Sequence, residues 1–200
     1  EWWEAIELNN YEKGILNQEI ILFNQQLFRL KEKHLRIGVW GKAGVGKSSL
    51  LNNIANENFF KSDILNGSCK RIRSKELDFN QDNIKKIELI DFPGFDICTV
   101  NDQKKELIKI YNLDLIFFIL AGDINRNELE SINNLLKSGK KIILVLNKID
   151  TWEMNEIKDI LKNIRKKLPQ FSSIPIITNS NLSYQDKFQT HKIFETTFEL

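Results

Sequence analysis

Eight residues, Gly41-Lys42-Ala43-Gly44-Val45-Gly46-Lys47-Ser48, have the spacing of a loop that cradles phosphate. Glycines let the backbone curl so that its N–H groups face an anion. A helix starting near Lys47 adds the positive end of its dipole. Lys47 puts a point charge on the outer phosphates, and Ser48 offers a hydroxyl oxygen to Mg2+. Ser49, next on that helix, belongs to the same phosphate-binding stretch. A glycine-rich turn that binds nothing is the bland alternative, and the strand before and helix after the loop argue against it.

Two further segments complete a constellation. Asp91-Phe92-Pro93-Gly94 closes a short apolar strand. A carboxylate at Asp91 can hold Mg2+, directly or through water, and Gly94 can bring its N–H to a terminal phosphate. Lys47, Ser48 and Gly94 are thus the catalytic candidates, and Ser48 and Asp91 the metal ligands. Asn147-Lys148-Ile149-Asp150 follows another strand. Asp150 can accept from both N1–H and the exocyclic amine of guanine, while Lys148 lays its alkyl stem along the base. Adenine lacks that donor pair and would leave the carboxylate badly matched. Each segment has an ordinary reading when taken alone. Asp-x-Pro-Gly is also a common turn, and Asp150 could be a helix N-cap. Their order, each at a strand end, argues against coincidence.

The elements that must position these residues are readable from periodicity. Apolar runs at Leu35–Trp40, Ile87–Asp91, Leu115–Ala121, Lys141–Asn147 and Ile174–Thr178 predict buried strands, with a partner strand near Arg71–Phe79. Amphipathic stretches at Lys47–Asn58, Asn101–Tyr111, Glu128–Lys137 and Glu153–Leu168 predict helices. The alternation implies an α/β fold: a mostly parallel six-stranded sheet with helices on both faces. Ligands of such sheets bind at the carboxyl ends of the strands, where every motif falls.

Residues 1–34 read as an N-terminal helical extension, and 35–200 as the nucleotide-binding domain. Leu16, Ile20, Phe23, Leu27 and Leu30 form one apolar stripe, widened by Ile15, Leu22 and Phe28. Gly14 is the expected point of a break or bend. The helix has three open readings: docking on its own domain, pairing with another helix, or lying on a membrane. Trp2 and Trp3 favour an interface of some kind.

Two hundred residues suffice for one domain with an appendage. A net charge of +2 gives no reason to expect direct DNA binding. Cys69 and Cys98 show neither a disulfide pattern nor metal-ligand spacing, which points to a reducing compartment. Leu113–Gly122 falls short of the roughly 20 residues of a membrane helix. The chain begins at Glu1 and reads as a fragment, so flanks could carry an anchor.

The segments Gly41–Ser48, Asp91–Gly94 and Asn147–Asp150 resemble the translation-factor-related GTPases, near the Era-like and dynamin-like families. Gly122–Glu128 followed by Lys141–Asp150 looks like a bacterial, cyanobacterial or plastid Era-type group, many of whose members carry a membrane-associated region after the G domain. The resemblance covers about residues 35–180. It implies a P-loop G domain, GTP or GDP with Mg2+, and a cytoplasmic or stromal setting, peripheral to a membrane in some cases. It places a fourth nucleotide-binding stretch on Thr178-Asn179-Ser180, where the family has Ser-Ala and a backbone N–H touches the base.

The same resemblance exposes departures. Cys69, within Asn66-Gly67-Ser68-Cys69-Lys70-Arg71, stands where the family's first switch has a Mg2+-binding Thr. A thiol suits that hard cation poorly, and Ser68 or simple burial of Cys69 are the alternatives. Phe95 stands where Ras-like enzymes orient water with a glutamine. Related GTPases with an apolar residue there obtain catalysis from a partner, a dimer or a monovalent cation. Gly44 replaces the Asn of cation-dependent members, which disfavours a potassium mechanism. The expectation is a slow GTPase, stimulated by a homodimer partner, a helper protein or a membrane, with switches at Lys61–Arg73 and Gly94–Asp102. A binding module with little hydrolysis and a membrane-remodelling G domain are the rivals. Arg71, Arg73 and Arg126 are candidate arginine donors or plain surface charges, Trp152 a core residue or a base shield, and His34 and His191 packing or surface residues. Phe188, Ile193, Phe194 and Phe198 suggest a last helix.

Overall fold

A computed structural model describes residues 9–60, 72–81, 83–97, 109–171 and 173–180. Helix α1 (Asn10–Lys31) is followed by β1 (His34–Trp40), α2 (Lys47–Ala55), β2 (Arg73–Gln81) and β3 (Ile84–Asp91). Then come β4 (Leu115–Leu120), α3 (Arg126–Lys137), β5 (Ile142–Leu146), α4 (Met154–Lys167) and β6 (Ile176–Thr178). Several expected calls fall outside the described residues: Trp2, Trp3, Ser68, Cys69, Arg71, Cys98, His191, the last helix and most of Asn101–Tyr111.

The sheet order is β2-β3-β1-β4-β5-β6. All neighbours are parallel except β2, which pairs antiparallel with β3 at the edge. β1 is flanked by β3 on one side and β4 on the other, so chain order reverses there and a crevice opens beyond its carboxyl end. The phosphate-loop sequence leaves β1 at that point.

The inner strands are apolar on both faces because helices cover both. Val39, Ile119 and Val145 face one core with Leu50 and Leu51 of α2. Trp40, Phe118, Leu120, Leu144 and Leu146 face the other, with Ile132 and Leu135 of α3 and Ile157, Ile160 and Ile164 of α4. Trp40 anchors α3 as well, its indole N–H donating to Ser131 Oγ at 3.0 Å. Capping boxes start α1 (Asn9 with Glu12) and α3 (Asn125 with Glu128).

α1 corrects two expectations. It runs unbroken through Gly14. Its stripe is not buried by the described residues: Phe23 is 59% exposed, and Leu27 and Leu30 are exposed too. Apolar residues lie around most of the helix, so no single face commits it to the sheet. Arg29 ties it down instead, donating to Asn112 O at 3.0 Å and Asn112 Oδ1 at 2.9 Å, with Asp114 3.8 Å away. Burial lowers the affinity of this guanidinium for its proton, and Asp114 opposes the shift.

Candidate functional site

The phosphate loop is shaped by its glycines and by its own lysine. Gly46 has φ +95°, a left-handed conformation that caps α2 and lets the loop turn straight into the helix. Lys47 is buried and folds back over the loop, its Nζ donating to Gly41 O at 3.2 Å and Lys42 O at 2.5 Å. Lys42 is held outward, 3.9 Å from the buried Glu128 at the start of α3. Val45 is buried against the sheet, while Ala43 and Gly44 form the exposed rim.

Asp91 ends β3 beside this loop. Ser48 Oγ donates to Asp91 Oδ2 at 2.6 Å, and both residues are buried. Two hard oxygen donors thus converge at the positions expected to hold Mg2+, a donor set that suits this cation. Among the described residues, no cluster of three or more His, Cys, Asp or Glu offers a rival metal site. Gly94 follows and lies hard against the loop: a Cβ there would be 2.4 Å from Ala43 N and 2.8 Å from Ala43 Cα. Any side chain at 94 would therefore push the two segments apart.

Phe95 turns away from this meeting point. Its ring packs 5.9 Å from Trp40 and 6.3 Å from Phe118, centroid to centroid, on the core side. The next residue faces the other way. Asp96 Oδ1 accepts from Ala43 N–H at 2.7 Å. Asp96 lies within the Gly94–Asp102 segment expected to act as a switch, but it was not singled out there, and its contact with Ala43 has no signal in the sequence.

The base-reading tetrapeptide is fastened to the phosphate loop. Asn147 is fully buried, and its Nδ2 donates to Val45 O at 2.8 Å. Its Oδ1 accepts from Asn179 Nδ2 at 2.8 Å. Asn179 is then fixed to the sheet, its N–H donating to Leu146 O at 2.8 Å and its carbonyl accepting from Ile149 N–H. The Thr178–Ser180 stretch thus arrives beside the tetrapeptide, as expected, but Asn179 works through its side chain rather than only through backbone. Lys148 adopts φ +60°, and the short 3-10 turn Ile149–Thr151 leaves Ile149 buried and Asp150 exposed at the mouth. Trp152 corrects the core expectation: it is 37% exposed, with its ring over Gly122, because the 3-10 turn ends at the surface.

The arrangement can therefore cradle an anion, offer the Ser48 and Asp91 oxygens to a divalent cation, and present a carboxylate to a base. Residues 36–148, over half of the chain, match the family described as 50S ribosome-binding GTPase. GTPase Der of Nautilia profundicola is 32% identical over 129 residues, 61% of this chain, which spans only 27% of that protein. The probable GTP-binding protein EngB of Mycoplasmopsis synoviae is 25% identical over 164 residues, covering 76% of this chain and 84% of that protein. The fold is that of Aquifex aeolicus Era, solved bound to GDP and AlF4−, with TM-score 0.62 at 22% identity, covering 82% of this chain and 56% of Era. The chain belongs to the family described as 50S ribosome-binding GTPase: it is a GTP-binding GTPase with Der and EngB among its relatives.

Proposed function

We propose that the chain is a guanine-nucleotide switch whose own GTP hydrolysis is slow and whose turnover is raised by a second component. That component is a further copy of the chain, a helper protein or a membrane surface. In this reading Lys47 and the amides of Gly41–Ser49 hold the phosphates. Ser48 and Asp91 hold Mg2+, which supplies charge neutralisation at the phosphates. Gly94 meets the terminal phosphate, and Asp150, Lys148 and the Thr178–Ser180 loop hold the base. Within the superfamily, Gly122–Glu128 and Lys141–Asp150 support a place among the Era-type members.

The observation that carries the proposal is the direction of Phe95. A side chain committed to Trp40 and Phe118 cannot reach a water molecule at the phosphate end of the site. Chemistry missing from this position must come from elsewhere, and an arginine supplied in trans is worth roughly 10³-fold or more in related reactions. Steady-state phosphate release tests this across a range of protein concentrations, with and without vesicles. The expected result is a low specific activity that rises with concentration or on addition of vesicles or a helper. A high specific activity, constant under dilution, would overturn the proposal. Tight GTP binding with no phosphate release in any condition would favour the second reading, a nucleotide-binding module, for which Phe95 and Cys69 are the motive.

A further inference from the structure

Asp96 brings a negative charge to a loop shaped for anions. Its carboxylate takes the Ala43 N–H at 2.7 Å, on the rim where Gly94 touches the same residue. The placement follows from Phe95. With that ring held against Trp40 and Phe118, the turn closed by Ile97 N–H donating to Gly94 O at 3.2 Å brings the next side chain onto the phosphate loop. Asp96 therefore sits at the end of the site assigned to the outermost phosphate, and not at the end assigned to the base.

We propose that Asp96 is a specificity-determining residue that sets the preference between guanosine diphosphate and triphosphate. The inference rests on the nucleotide site proposed above. A diphosphate leaves the Ala43 rim to Asp96. A triphosphate brings a further anionic group to that rim, where it meets the carboxylate and competes for the same N–H. Either the two anions stay close, or the Asp96–Ala43 hydrogen bond breaks and the segment after Gly94 is released. Both routes penalise the triphosphate and spare the diphosphate.

The test compares the ratio of dissociation constants for GDP and for a non-hydrolysable GTP analogue, with Mg2+, in the unmodified protein and three variants. Asp96→Asn keeps an acceptor oxygen for Ala43 but removes the charge. Asp96→Ala removes both, and Asp96→Glu keeps the charge. The expected result is a shift of roughly tenfold toward the triphosphate in Asp96→Asn and Asp96→Ala, a little more than two unit charges about 4 Å apart exchange in bulk water, as suits an exposed rim. Asp96→Glu should stay near the unmodified ratio. Added salt should narrow the difference in ratio between the unmodified protein and Asp96→Asn, since the other charges at the site are common to both. GDP affinity serves as the internal control for folding. A ratio in Asp96→Asn within about twofold of the unmodified protein, with GDP binding intact, overturns the role of Asp96. Failure of the unmodified protein to bind either nucleotide overturns the underlying site, a distinct outcome.

Discussion

A carboxylate at position 150 can accept two hydrogen bonds from the edge of guanine, and adenine offers no such pair. Asp150 stands exposed at the mouth of the site, carried there by the turn that buries Ile149 beneath it. The expected outcome of Asp150→Asn is a loss of about 2 kcal/mol or more in GTP binding, with a gain for xanthine nucleotides, because an amide offers a donor where the xanthine base offers an oxygen. Competition binding with GTP and xanthosine triphosphate checks this. Equal GTP affinity in the variant would remove Asp150 from base recognition. At the same scale Phe95 and Asp96 show how two adjacent residues divide their work. One ring fixes the backbone to the core, and the neighbouring carboxylate is aimed at Ala43.

At the scale of elements, β1, β3 and β5 each end in a segment with chemistry, and Asn147 ties two of these ends together. Its amide joins the phosphate loop through Val45 to the last strand through Asn179, across 102 and 32 positions of sequence. Asn147→Ala leaves the buried Val45 carbonyl and the Asn179 amide to find new partners. The predicted cost is about 1–3 kcal/mol in stability, with GTP and GDP affinity falling together, since the strut serves the whole site and not one phosphate. Chemical denaturation and nucleotide titration on the same variant check it. Unchanged stability would show that the strut carries no net energy. The strands were legible in the sequence because a parallel sheet covered on both faces needs unbroken apolar runs, as in Leu115–Leu120. Gly41–Ser48, Asp91–Gly94 and Asn147–Asp150 were legible because each is local. The Asn147 strut, the Asp96–Ala43 contact and the Arg29–Asn112 tie were not, because each joins residues far apart in sequence whose pairing depends on the packed sheet. Phe95 was legible only as the absence of a glutamine. Its inward direction depends on the rings of Trp40 and Phe118, which only the packed sheet brings beside it. The α1 stripe misled because a regular apolar spacing marks a face without naming its cover, and Phe23, Leu27 and Leu30 remain exposed.

For the whole molecule, the sheet order gathers phosphate, metal and base groups into one crevice where β1 meets β3 and β4. No one segment defines the ligand. In the proposed reading Gly41–Ser48 selects phosphate, Ser48 with Asp91 suits Mg2+, and Asp150 restricts the base. The account as a whole therefore stands on nucleotide class. The direct measurement is a displacement titration of a fluorescent guanine nucleotide from the unmodified protein in Mg2+, with GTP, GDP and ATP as competitors. The account predicts displacement by GTP and GDP, with ATP weaker by roughly a hundredfold or more, the penalty for the Asp150 carboxylate facing the wrong donor pattern. Displacement by ATP at the same concentration as GTP would contradict it.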